Sequence, residues 1–255
     1  RWRHFFIAAA AAFLLCGPVW SAPAQDDDQD TTLFLQANQA YKAGDFTLAA
    51  RIYEQLLARG LKNGDLLYNL GNAFLKSGDI GRAIMSYRRA ERFLPRDADI
   101  EANLQYAFEQ TTDRIDCGEG ASFRRTFFFW FYKMSLAELC FAFLACNGLL
   151  WVLLGIRWLG RTGSLGLAVS AAVFFTALLG GSFAAKYWQA AFCKTAVVLS
   201  KEVQVRSGSS PSDTVLFRLH EGAELSIEGE ESDWAKISLC DGKKGWVQKS
   251  TIGIL

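Results

Sequence analysis

Histidine is nearly absent from this chain: 255 residues hold two, His4 and His220. Acid–base sites and metal centres draw heavily on imidazole, so that scarcity narrows the chemistry on offer. Cys193 with His220 is the one thiol–imidazole pair the aqueous regions can assemble, and nothing near Cys193 provides a third group to orient a base. No CxxC pair and no metal-ligand spacing occurs among the six cysteines, and no GxxxxGK[ST] loop is present to hold a nucleotide. The formal net charge is +1, which leaves out the clustered Lys and Arg of a nucleic-acid footprint. These absences together argue against an enzyme and call for no metal and no cofactor. Cys16 lies in an N-terminal apolar run, while Cys140 and Cys146 lie in a second one. Cys117, Cys193 and Cys240 remain for the aqueous regions. An odd number gives no closed disulfide framework, so free thiols are expected, with one disulfide among the three as the alternative. A Cys193–Cys240 bond requires the strands to bring the two together.

Charge is missing locally as well. Leu139 to Ile156 and Thr162 to Ala185 carry no charged side chain. A helix rising ~1.5 Å per residue crosses ~30 Å of hydrocarbon in runs of about this length. The two are separated by Arg157 to Arg161, which predicts a transmembrane hairpin with helices at 136–159 and 163–186. Its flanking domains then face one compartment. At the N-terminus, basic Arg1, Arg3 and His4, the apolar Phe5–Leu15 and the small Ala22-Pro23-Ala24 form a signal-peptide pattern over 1–24. Cleavage after Ala24 exports the first soluble domain and puts the basic turn Arg157-Trp158-Leu159-Gly160-Arg161 inside, as the positive-inside rule favours. Arg124, Arg125, Lys133 and Lys186 count against that orientation. The expected location is thus a bacterial inner membrane crossed twice, in contact with the lipid bilayer, with both soluble domains periplasmic. The aromatic run Phe127–Tyr132 reads either as an interfacial helix or as the start of the first span.

Residues 31–112 repeat with a period of 34. Gly44-Asp45 returns as Gly78-Asp79, Ala49 as Ala83 and Tyr53 as Tyr87. The fuller copy runs Leu70, Gly71, Phe74, Gly78, Ile80, Ala83, Tyr87, Ala90, Pro95. Small Gly71, Ala83 and Ala90 allow two helices to approach, Phe74 and Tyr87 fill the gap, Gly78 turns the chain and Pro95 ends the second helix. This resembles the tetratricopeptide repeat. A further helix near 100–111 is expected to cap the stack. The resemblance implies a concave groove along the inner helices, where Asn69, Asn72, Lys76 and Asn103 fall. Asparagine both donates and accepts, which suits it to an extended peptide backbone. The same residues equally serve as internal braces of the array.

Beyond residue 196 the period changes to two. Val203, Val205, Val215, Phe217, Leu219, Leu225, Ile227, Ile237, Leu239 and Val247 alternate with polar residues between Gly- and Asp-containing breaks, which predicts a small antiparallel barrel over 196–255. The phrases Val205-Arg206-Ser207-Gly208, Leu219-His220-Glu221-Gly222, Asp233-Trp234-Ala235-Lys236-Ile237 and Gly245-Trp246-Val247 resemble a bacterial SH3-like domain. Trp234 and Trp246 are candidates for an aromatic groove floor, or for the core.

The expected fold is multidomain: an α-helical tetratricopeptide array, a two-helix transmembrane hairpin and a small all-β SH3-like barrel. That order, behind a signal segment, resembles the bacterial Bat (aerotolerance operon) proteins. The resemblance implies an assembly with von Willebrand factor A domain membrane proteins and a MoxR-type ATPase. Two functions follow: a membrane scaffold that holds partner proteins, or a cell-envelope sensor whose barrel takes peptidoglycan peptides.

Overall fold

The structure is a computed structural model and describes residues 27–113, 115, 128–160 and 165–255. The signal-like segment 1–24 with its Cys16, together with Cys117, Arg124, Arg125, Phe127 and Arg161, lies outside the described residues.

Five helices form the first layer: α1 Asp27–Lys42, α2 Phe46–Ala58, α3 Gly64–Ser77, α4 Ile80–Phe93 and α5 Ala98–Glu109. Short acidic or amide side chains start them. Asp45 accepts from the Leu48 N–H at 3.0 Å, Asn63 from Leu66 at 2.7 Å, Asp79 from Arg82 at 3.1 Å, and Asp97 from Ile100 at 3.1 Å. Each bond satisfies an amide the helix leaves open in its first turn. Gly78, at φ +82°, ends α3 in the left-handed region, as Gly44 at +83° does before α2. Tyr53, Leu56, Leu66, Leu70, Phe74, Ala83, Ile84, Tyr87, Ala90, Ile100 and Leu104 are buried in one continuous core. The first helix begins at Asp27, earlier than the repeat boundary at 31, and adds Ala37 to that core.

Next come a short helix, α6 Phe129–Lys133, and two long apolar ones, α7 Leu136–Trp158 and α8 Gly166–Phe192, of 23 and 27 residues. Ser135 starts α7 with a capping box, its hydroxyl accepting from the Glu138 N–H while the Glu138 carboxylate accepts from the Ser135 N–H. Both α7 and α8 are long and apolar enough to cross a membrane, and they pack on each other, Phe143 lying against Gly180. The second helix runs past the uncharged stretch to Phe192 and so carries Lys186 within it.

The C-terminal domain is a seven-stranded antiparallel sheet: β1 Thr195–Val198, β2 Glu202–Arg206, β3 Val215–His220, β4 Glu224–Glu231, β5 Trp234–Ser238, β6 Lys244–Gln248 and β7 Ile252–Ile254. The strand order is β3-β2-β6-β5-β4-β1-β7. All seven strands feed one core, built on Ala196, Val203, Val205, Leu219, Leu225, Ala235, Ile237, Val247 and Ile252. The array, the two apolar helices and this small antiparallel domain make up the multidomain architecture.

The array and the barrel are not separate beads. Strand β1 is buried on both sides: Ala196 and Val198 point into the barrel, while Val197 belongs to the helical core. Arg88 of α4 grips Glu224 with two hydrogen bonds, 2.6 and 3.0 Å, and Glu91 with a third at 2.9 Å. The buried Glu221 accepts from the Gly81 N–H at 2.9 Å and pairs with Lys201, so the barrel supplies a second cap to α4. Burial raises the Asp79 carboxyl, and the neighbouring Glu221 pushes the same way against the Arg82 hydrogen bond and charge. A methyl group at Gly81 would lie 2.6 Å from the Val198 carbonyl oxygen, so the backbones meet where a side chain has no room. Asp113 completes the joint by accepting from the His220 N–H at 2.6 Å and meeting its ring Nδ1 at 2.8 Å.

Candidate functional site

The inner helices α1 and α3 open onto a concavity of about 360 Å³ lined by Leu35, Asn38, Gln39, Tyr41, Lys42, Tyr53, Asn69 and Asn72. A repeated hydrogen bond builds its floor. The Tyr53 hydroxyl donates to Asn38 Oδ1 at 2.6 Å, and 34 residues on the Tyr87 hydroxyl donates to Asn72 Oδ1 at 2.7 Å. In both repeats a tyrosine from the outer helix reaches through the core and fixes the amide of an inner-helix asparagine. The carbonyl side of each amide is engaged by the bond, leaving the NH2 group as donor. Burial pushes the Tyr53 phenol up to about 12, and burial also raises Tyr41 and Tyr87. These phenols therefore stay neutral donors at physiological pH.

Asn69 lines the concavity, half-buried. Asn72 lines it too, but its Oδ1 also accepts from Asn103 Nδ2 at 2.9 Å. Asn103 in turn donates to the Tyr68 hydroxyl at 3.1 Å. Asn103 thus ties α5 to α3, and its brace role is visible in the geometry. Lys76 is exposed and lies outside the concavity's lining; Lys42, its counterpart one repeat earlier, is the lysine that borders it. Asn38, Tyr41, Lys42 and Tyr53 were not singled out as groove residues from sequence. The 34-residue spacing of Asn38 with Asn72 is the signal in the sequence that identifies the first of them.

The barrel's two tryptophans project from one side of the sheet. Trp234 pairs with Gln248, and Trp246 pairs with both Lys236 and Arg206. Residues two apart on a strand share a face, so Trp234, Lys236, Trp246, Gln248 and Arg206 all face away from the core of Ala235, Ile237 and Val247. Trp234 is nevertheless buried, with 8% of its surface exposed, and Trp246 is half-buried. An open floor made of both rings is therefore not formed; Trp246, which pairs with Arg206 and Lys236 on the neighbouring strands, is the accessible one.

The cysteines divide differently from expectation. Cys140, Cys146 and Cys193 are free thiols, so the Cys193–Cys240 bond does not form. Cys240 is disulfide-bonded. His220 turns its Nδ1 to Asp113. Among the described residues no group of three or more His, Cys, Asp or Glu is placed to hold a metal ion.

Residues 34–98 match the tetratricopeptide repeat family, and residues 201–253 match the bacterial SH3 domain family. No curated protein matches the chain. The two matched domains are of kinds that mediate protein–protein interaction, and they bracket the two apolar helices.

Proposed function

We propose that this protein is a non-enzymatic scaffold of the bacterial inner membrane that captures a partner protein's extended segment in the concave face of its helical array. The observation that carries the reading is the lined concavity, where Asn38, Asn69 and Asn72 offer amides against a floor of tyrosines. A peptide backbone laid there meets donors already held in place, so little ordering cost falls on binding. The membrane location draws on α7 and α8. If both cross, the contacts of α4 with β1 and Glu224 require the array and the barrel to share one side, as a hairpin demands. The periplasm is the proposed side. The Bat resemblance extends the reading to von Willebrand factor A domain proteins and a MoxR-type ATPase as members of the same assembly.

The test is capture of solubilised membrane proteins by the full chain, with Asn69→Ala combined with Asn38→Ala. Each lost hydrogen bond costs about 0.5–1.5 kcal/mol, so the pair weakens capture by about one to two orders of magnitude at ~1.4 kcal/mol per decade. Unchanged helicity with reduced capture supports the groove. Unchanged helicity with unchanged capture moves the binding site elsewhere. The second reading, an envelope sensor for peptidoglycan peptides, draws on Trp246 between Arg206 and Lys236. Retention on purified peptidoglycan that Trp246→Ala abolishes favours it over the scaffold.

A further inference from the structure

Among the described residues an ion pair joins the array to the membrane helices. Arg96, in the turn between α4 and α5, forms an ion pair with Glu138 in the first turn of α7. Lys186 of α8 sits at the same level: its Nζ donates to the Phe131 carbonyl at 2.8 Å and to that of Met134, and lies 5.6 Å over the Phe131 ring. Trp130 Nε1 donates to Ser182 Oγ at 3.3 Å. These contacts stitch α6 across the mouth of the helix pair. Gly166 to Ala185 spans 20 uncharged residues, ~30 Å of helix, the thickness of a hydrocarbon core. Glu138 and Lys186 therefore mark one boundary plane, and α6 lies along it.

Around that plane the side chains have a consistent chemistry. Phe129 and Tyr132 of α6 are exposed, as are Tyr187, Trp188 and Phe192 on the last turns of α8. Aromatics of this kind settle at headgroup depth. The array adds to the ring from above. Phe93, the last residue of α4, leaves 49% of its surface open although it is wholly apolar. Arg92 beside it is exposed, and so is Lys133 at the end of α6. Neither cation has an ion pair among the described residues, whereas nearby Arg88 pairs with Glu91 and Glu224 and Arg96 pairs with Glu138. Two unpaired cations and an uncovered phenylalanine at the edge of a bilayer fit a headgroup phosphodiester with the glycerol backbone and acyl chains beneath it.

We propose that the turn between α4 and α5, together with α6, is a headgroup-binding collar: Arg92 and Lys133 hold the phosphates of anionic phospholipids, Phe93 enters the interface, and the array is thereby seated on the bilayer. The proposal rests on the membrane reading of α7 and α8. It gives the scaffold a fixed height, so that the groove presents to segments just outside the membrane.

The experiment uses the full chain in nanodiscs of phosphatidylcholine alone, and of phosphatidylcholine mixed with anionic phosphatidylglycerol. Amide hydrogen exchange is followed in 91–97 and in α7. The anionic discs are expected to slow exchange in the turn by about fivefold per basic side chain, the factor equivalent to ~1 kcal/mol for a Lys or Arg near an anionic surface. Arg92→Glu with Lys133→Glu removes the difference between the two discs. Phe93→Ser reduces the slowing while leaving its dependence on lipid charge. Equal exchange of the turn in both lipids, with α7 protected, overturns the collar and leaves the membrane reading intact. Free exchange of Leu139–Ile156 in both discs overturns the membrane reading and the collar with it. Slowing that persists in the charge-reversed variant also overturns the collar.

Discussion

Replacing Arg88 by alanine tests whether the array and the barrel behave as one body. The guanidinium is largely buried, its side chain 20% exposed, and it is held by Glu224 and Glu91 and lies 5.4 Å over the Phe108 ring. Charge-assisted hydrogen bonds of this kind contribute about 1.5–3 kcal/mol. Breaking a fully buried pair costs more, because a carboxylate is stranded. Here Glu224 and Glu91 keep 35% and 42% of their side-chain surface in water, so solvent recovers part of the loss. The expected cost is about 2 kcal/mol, with the lower half of the range favoured by that exposure. Since Val197 sits in the helical core, opening of β1 is then made easier by ~30-fold at ~1.4 kcal/mol per decade. Hydrogen exchange of the full chain in detergent reads this directly at the Val198 and Leu199 amides, which donate to Ala223 and Thr251. Glu224→Ala should produce a similar rise, and the double variant should add little to either, since both remove one interaction. Faster exchange confined to α4, with β1 unmoved, would falsify the single-body argument.

Two further outcomes follow from the helical core. A methyl group at Gly71 would lie 2.6 and 2.7 Å from carbons of the Tyr87 ring, so Gly71→Leu overpacks the α3–α4 contact at a cost of about 1–3 kcal/mol; loss of helicity should come earlier on heating, and an unchanged melting curve means the packing faces are wrong. The Tyr53 phenol, pushed from the ordinary 10.0 to about 12 by burial, binds its proton more tightly when folded. Its contribution is complete below pH 10 and is lost as pH rises towards 12, about 3 kcal/mol over that window at ~1.4 kcal/mol per unit. Helicity should fall across that range, and Tyr53→Phe should shift the fall to higher pH; a wild-type array indifferent to alkali sinks the assignment.

The repeat was legible because its physics is local. Spacings such as Gly44/Gly78 and Tyr53/Tyr87 record turns and core positions that each 34-residue unit must supply for itself. The two long apolar runs were legible for the same reason, as was the period-two pattern of the barrel. What the sequence did not disclose is pairing across distance. Arg88 and Glu224 are separated by 136 positions, and neither lies in a repeated pattern. One local sign was present: Ala196-Val197-Val198 does not alternate. An unbroken apolar strand signals burial on both faces, and here the second face belongs to the array. The site was half legible in the same sense. Asn72 and Asn103 lie on α3 and α5, but the bond between them, and the Tyr53 and Tyr87 hydroxyls that fix Asn38 and Asn72, depend on how helices cross. Trp234 was ambiguous because burial of an outward-facing ring depends on what covers it, and strand alternation says nothing about that.

The joint between the domains also explains how so short an array holds together. A helical repeat buries its faces against neighbours, and a stack of two leaves open flanks at both ends. At the start the end of the stack is α1 itself, whose Ala37 enters the core. On the other side α5 covers part of α4, burying Ile100 and Leu104. The rest of α4 is closed by the barrel, through Val197, Glu221 and Glu224. That last cover is encoded after the two apolar helices. In a hairpin reading the chain must therefore cross the bilayer and return before the array's flank is sealed. Contacts with such wide sequence separation form late, because the loop between them must close first. The hairpin bears that closure cost: once α7 and α8 are packed, the chain that enters and the chain that leaves are already side by side, and β1, which follows α8 after two residues, starts beside α4. On that reading, packing of the hairpin sets β1 beside the flank of α4 that Val197 covers.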